Sequence, residues 1–245
     1  CVDKAYYGIE KNKQDAIDLL NSKNPAQYGI EIVPEDVKYP QGGEKMQVKA
    51  VTNREVKPGG LPSGVGCNVV STRTAYAVYQ ACCEGKSVIE RIVTYGGSAL
   101  KAPVNGLTRV GTPFSHIAEQ CGGFVKTPRK IVLGGPMMGM AMYDLNTPIT
   151  KTSSSILAMS EDEVEKFEPT NCIRCGRCAT VCPSHLVPQM MAQAAERNDL
   201  DYFQKLNGME CYECGTCTFV CPAKRRLTQI FKQARRAVMD QNRKK

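Results

Sequence analysis

Eight of the chain's thirteen cysteines fall into two runs of identical spacing. Cys172, Cys175, Cys178 and Cys182 precede Pro183, and Cys211, Cys214, Cys217 and Cys221 precede Pro222. Each run is C-x2-C-x2-C-x3-C-P, a spacing that holds [4Fe–4S] clusters. Two-residue gaps let three thiolates wrap one face of a cubane inside a tight loop. Gly176 and Gly215 sit where the backbone has to curl past the sulfurs. The fourth cysteine lies too far along to close the same cluster, so with two clusters it ligates the other one. The expected sets are Cys172, Cys175, Cys178 and Cys221 for one cluster, and Cys211, Cys214, Cys217 and Cys182 for its partner. Zinc is the competing reading, as in a non-redox scaffold with a basic docking tail. Structural zinc sites favour paired C-x2-C knuckles, often with histidine. Here triplets with a distal Cys-Pro occur twice, with His185 the only histidine nearby.

Cys1, Cys67, Cys82, Cys83 and Cys121 are scattered. An odd count without a visible secretory signal argues against a disulfide framework. Cys82-Cys83 falls on an apolar helix and is expected to be buried, and His116, just after a helix start, to be structural. The net charge of +8 is a terminal property. Residues 223–245 hold nine bases, including Lys244 and Lys245, and one acid, Asp240; the remainder is balanced. That disfavours nucleic-acid binding, which wants basic charge spread over a folded face. No stretch approaches the roughly eighteen apolar residues of a membrane-spanning helix. The chain opens on Cys1 in what reads as a strand, so it is expected to be a fragment or a processed product.

The fold class expected is multidomain, α/β and α+β. Residues 2–33 read as strand, helix, strand, a βαβ-like piece of an α/β domain, with Asn12 as helix cap and Ala16, Ile17, Leu19 and Leu20 as the apolar face. Residues 39–66 are glycine- and proline-rich and read as loop, and 72–84 as helix. Strands are expected at 89–95, 107–110 and 131–133, with a helix opened by a Thr112-Pro113 cap and stopped by Gly122-Gly123. Strands around one short helix suggest a small β-grasp domain. Residues 151–155 read as a linker, and the acidic 161–168 leads into the cysteines. Helical patterns at 187–197 and 200–206 favour a helical ferredoxin domain over a compact β-type one. Met137, Met138, Met140 and Met142 read as filling an irregular core. In the tail, Leu227, Ile230, Phe231, Ala234 and Val238 have helical spacing. Packing is expected over 227–234, and a disordered or interacting end beyond it.

The order of these modules resembles the C subunit of the Rnf electron-transport complex, a membrane-bound ferredoxin:NAD oxidoreductase coupled to ion pumping. The matching stretches are 8–17 (GIEKNKQDAI), 39–45 (YPQGGEK), 59–62 (GGLP), 111–113 (GTP), 134–139 (GGPMMG) and both cysteine runs. The resemblance implies a partial Rossmann-like flavin/NADH domain over 1–85, a soluble-ligand-binding β-grasp domain over 86–157 and a helical ferredoxin domain with two [4Fe–4S] clusters over 158–245. It places Glu10 near flavin or nicotinamide. FMN and NAD(H) are implied only for the full-length subunit, whose flavin-cradling glycine loop lies upstream of this stretch. Val70-Ser71 departs from the polar pair usual in relatives. The chain alone is therefore expected not to oxidise NADH, although it belongs to an oxidoreductase complex. Other subunits, notably an iron–sulfur subunit, are the implied partners, at the cytoplasmic side of the bacterial membrane. A related cobalamin-reducing flavoprotein is the near alternative.

Overall fold

The computed structural model describes residues 2–163 and 168–243. Cys1, residues 164–167 of the acidic stretch before the cysteines, and Lys244 and Lys245 lie outside the described residues. The chain divides into two compact units, Cys1–Thr72 and Arg73–Lys245. No described helix is long and apolar enough to cross a membrane.

The first unit pairs strands β1 (Ala5–Glu10) and β2 (Ile30–Glu35) in parallel, from Ala5 opposite Ile30 to Glu10 opposite Glu35. Parallel neighbours need a crossover, and helix α1 (Gln14–Ser22) supplies it. Of the expected apolar face only Ile17 is buried. Asn12 does not cap this helix; the cap position is Lys13, with no side-chain bond, and the Ile17 N–H donates to the Lys13 carbonyl. A second helix, α2 (Glu44–Thr52), stands inside the stretch read as loop. Its signal is weak because it is short, lies between glycine-rich segments and buries only Val48.

The second unit opens with α3 (Thr72–Glu84), on which Cys82 and Cys83 are exposed, against expectation. The helix has no buried residue, so its apolar composition did not translate into core. Strands β3 (Glu90–Gly96) and β4 (Val104–Arg109) pair antiparallel. After them come α4 (Phe114–Gln120), β5 (Lys130–Leu133), β6 (Met140–Met142) and β7 (Ser155–Met159). The sheet order is β4-β3-β7-β5-β6. The residues read as a linker thus run into the central strand, parallel to β3 and antiparallel to β5. Ile156 and Ala158 of β7 join Val93, Tyr95, Phe114, Ile117 and Ile149 in the core over α4. Gly97 makes that pairing possible: at φ 100°, a Cβ there would stand 2.2 Å from the Ala158 carbonyl oxygen. Pro113, not Thr112, occupies the cap position of α4, without a side-chain bond. His116 is exposed, 4.0 Å from Glu119. The methionines divide: Met142 packs on the core, whereas Met138 and Met140 are exposed.

The cysteine-bearing segment is helical: α5 (Arg177–Thr180), α6 (Pro188–Glu196), α7 (Leu200–Lys205), α8 (Thr216–Phe219) and α9 (Leu227–Arg243). Met191, Ala194, Phe203, Phe231 and Val238 form its core, with the Phe203 and Phe231 rings 6.3 Å apart. The tail does not end its packing at Ala234. One helix continues to Arg243 and buries Val238, because the apolar stripe keeps its period one turn further.

Candidate metal centres

The two cysteine runs fold the same way. Arg174 and Glu213, Gly176 and Gly215, and His185 and Lys224 all have positive φ, and the members of each pair are 39 positions apart. Left-handed backbone is costly for side chains other than glycine, about 1–2 kcal/mol per residue. Its recurrence at matched positions marks a loop held by what it encloses. The curl aims backbone donors inward: Leu186 N–H stands 3.4 Å from Cys182 Sγ, and Glu213 N–H 3.4 Å from Cys211 Sγ. Helices α5 and α8 each start directly after the glycine and carry the third cysteine, and the fourth follows before proline.

Two hollows result. One is lined by Cys172, Cys175, Cys178 and Cys221, with Gln189 and Arg225. The other is lined by Cys182, Cys211, Cys214 and Cys217, with Thr228. Each therefore collects three thiols of one run and the last thiol of the other. Among the described residues, no three cysteine, histidine, aspartate or glutamate side chains converge as ligands of a single ion. Four cysteines line each hollow, an all-sulfur ligand set that suits the corners of a cubane.

Burial pushes the Cys178 and Cys211 thiols above their ordinary range, and Cys217 up to about 12. These groups are neutral thiols when no metal is held, so loading releases protons and strengthens with pH. The Cys178 thiol donates to Gln189 Oε1 at 3.3 Å; Thr228 Oγ1 stands 4.0 Å from Cys217 Sγ and 2.8 Å from Thr218 Oγ1. Gln189 and Thr228 are themselves 39 positions apart, each beside the third cysteine of its run. The sequence reading missed both, and the internal repeat was the signal that could have found them. The Arg225 guanidinium pairs with Glu196, which with Cys172 holds it firmly protonated. Arg235 pairs with Glu213 beside the other run.

Glu10 stands apart from this site, in the first unit. It closes β1 at the carboxyl edge of the parallel pair, opposite the buried Glu35. Ligands of open α/β sheets bind at that edge. Glu35 accepts a 2.7 Å bond from Gln47 Nε2 of α2.

Residues 1–80 match the family described as the Nuo51 FMN-binding domain, and residues 165–222 match the 4Fe-4S dicluster domain. The chain is 40% identical over 243 residues to the C subunit of the Na(+)-translocating ferredoxin:NAD(+) oxidoreductase complex of Acetobacterium woodii, covering 99% of itself and 55% of that protein. It is a homologue of that protein. The C subunit of the proton-translocating complex of Clostridium ljungdahlii is 42% identical over 197 residues, which is 80% of this chain and 43% of the relative. The C subunit of the ion-translocating oxidoreductase complex of Rhodobacter capsulatus is 36% identical over 203 residues, 82% of this chain and 39% of the relative. The chain spans about half the length, or less, of these relatives. The family resemblance read from the short motifs holds along nearly the whole chain, and the matched domains are those of a flavin module and a two-cluster module.

Proposed function

We propose that this chain is the electron-carrying part of the C subunit of an ion-translocating ferredoxin:NAD oxidoreductase, relaying single electrons through two [4Fe–4S] clusters. The observation that carries the reading is the pair of hollows, each lined by three cysteines of one run and the last of the other. Cys172, Cys175, Cys178 and Cys221 are the ligands of one cluster; Cys211, Cys214, Cys217 and Cys182 are those of its neighbour. When bound, such clusters supply one-electron steps at potentials set by charge, burial and hydrogen bonds to sulfur. The chain's own residues do the tuning and the holding. Arg225 sets a positive charge against Cys172, and Gln189 and Thr228 stand beside the third cysteine of each run. Helices α6, α7 and α9 give both loops a packed base.

In this reading 1–85 is the C-terminal part of a Rossmann-like flavin/NADH domain, 86–157 a β-grasp domain, and 158–245 a helical ferredoxin domain with a basic tail. The mixed sheet over α4 supports the second, and the all-helical cysteine segment the third. Glu10 is assigned to the neighbourhood of flavin or nicotinamide in the full-length subunit, to which FMN and NAD(H) binding belong. Other subunits of the complex, an iron–sulfur subunit among them, are the partners, on the cytoplasmic side of the membrane. Anaerobically prepared protein should carry about eight irons with matching sulfide, absorb near 400 nm, and give an EPR signal on reduction. Two zincs and no sulfide would overturn the proposal.

A further inference from the structure

We propose that the first cysteine loop, around Cys172 and Cys175, is the docking port for an acidic protein that carries single electrons, and that Met137 closes the second loop to such a partner. The inference rests on the cluster reading above. Because the runs share spacing and backbone, a difference in their surroundings reports how each is used. Every residue from Thr170 to Cys175 is exposed, whereas none from Cys211 to Thr218 is. The glycines show the cause. A Cβ placed on Gly215 would lie 3.0 Å from the Met137 carbonyl oxygen and 3.4 Å from its methyl; one placed on Gly176 would meet nothing within 4 Å. The loop at 134–139, between β5 and β6, therefore seats on the second cysteine loop, and no described segment does the same for the first.

Chemistry differs as well. Arg174 and Glu213 hold matched positions at φ 56° and 55°, with opposite charge. Glu213 is half-buried, paired with Arg235 and 4.0 Å from Lys232, so its charge is answered within the fold. Arg174, which lines the first hollow, and Arg177, next in sequence to the lining residues Gly176 and Cys178, are exposed. Among the described residues, Glu168 is exposed six positions before Arg174, and Glu196 is engaged by Arg225. Between the two exposed cysteines, Ile173 is 66% exposed. An apolar centre within a basic rim suits a protein partner with an acidic rim. A bond from Thr170 N–H to the Ala223 carbonyl, 3.0 Å, fixes the rim to the loop that follows Cys221. Exchange here moves one electron: the reduced partner loses it, the first centre gains it, and no bond or proton changes.

The test uses the anaerobically prepared, iron-loaded chain and a strongly acidic bacterial 2[4Fe–4S] ferredoxin as probe. Iron content and EPR are read on the same sample. Arg174→Glu with Arg177→Glu should weaken binding about tenfold or more and flatten its salt dependence, with the EPR of both clusters retained. Arg109→Glu with Lys130→Glu, the same charge change on the sheet, should leave the affinity in place. A photo-crosslinker replacing Ile173 should capture the ferredoxin, and one replacing Thr216 should not. Equal weakening by both double variants, or equal capture from both positions, overturns the port. So does loss of binding to phosphatidylglycerol vesicles with ferredoxin affinity unmoved, which would make the rim a lipid contact. A chain that holds no iron overturns the cluster reading and this inference together; a loaded chain with unmoved ferredoxin affinity overturns this inference alone.

Discussion

Replacing Gly176 and Gly215 separately by alanine isolates the cover that one cysteine loop has and the other lacks. Both glycines stand at the start of a short helix with left-handed backbone, φ 76° and 85°. Alanine costs each loop about 1–2 kcal/mol in that conformation. At Gly176 nothing lies within 4 Å of the new methyl, so strain is the whole effect. At Gly215 the methyl meets the Met137 carbonyl oxygen at 3.0 Å and the carbonyl carbon at 3.6 Å, atoms that move only with the loop. Overpacking of that kind adds about 1–3 kcal/mol. If it raises the ground state, the cluster region of Gly215→Ala should be lost roughly 5- to 150-fold faster than that of Gly176→Ala. The assay is the first-order decay of absorption near 400 nm in chelator and urea under argon. Met137→Ala should rescue Gly215→Ala only in part, because the nearest atom is backbone. Equal decay of the two glycine variants, or full rescue, would refute the argument that the 134–139 loop closes the second centre.

Two further outcomes follow from the site. Cys182→Ser should perturb the EPR of the cluster held by Cys211, Cys214 and Cys217, and Cys221→Ser that of the first run; loss confined to the neighbouring run in sequence would refute the crossed sets. Burial raises Cys217 from an ordinary 9.0 to about 12, so the metal-free fold keeps a proton that the unfolded chain gives up. That stability is fully present below pH 9 and drains away as pH climbs towards 12. Urea midpoints of the metal-free chain should fall across that window, and Cys217→Ser should flatten the fall.

Residue spacing carried the metal chemistry because the thiols of one run lie within eleven residues, close enough for the loop itself to present them. The same holds for the short strands near 131–133 and 89–95, whose β-branched and apolar residues announce themselves locally. Helix α9 was legible for its stripe, although the burial of Val238 extends one turn past the expected packing. Glu10 stayed an expectation of the resemblance. What its position adds, a place at the carboxyl edge opposite buried Glu35, depends on a strand partner about 25 residues away.

The sequence by itself determined two cysteine runs of equal spacing and the kinship to relatives, since both are written in identity and spacing. Tertiary structure decided what each centre faces. Residues 151–155 read as a linker because lysine, threonine and serine carry no strand pattern, and the strand that opens at their end, Ser155–Met159, is too short to announce itself; only pairing with β3, some sixty residues earlier, makes it the middle of a sheet. Two runs of the same spacing look alike until a loop from that sheet seats on Gly215 and none seats on Gly176. Local spacing sets which atoms can bind; long-range packing sets which of them a partner can reach.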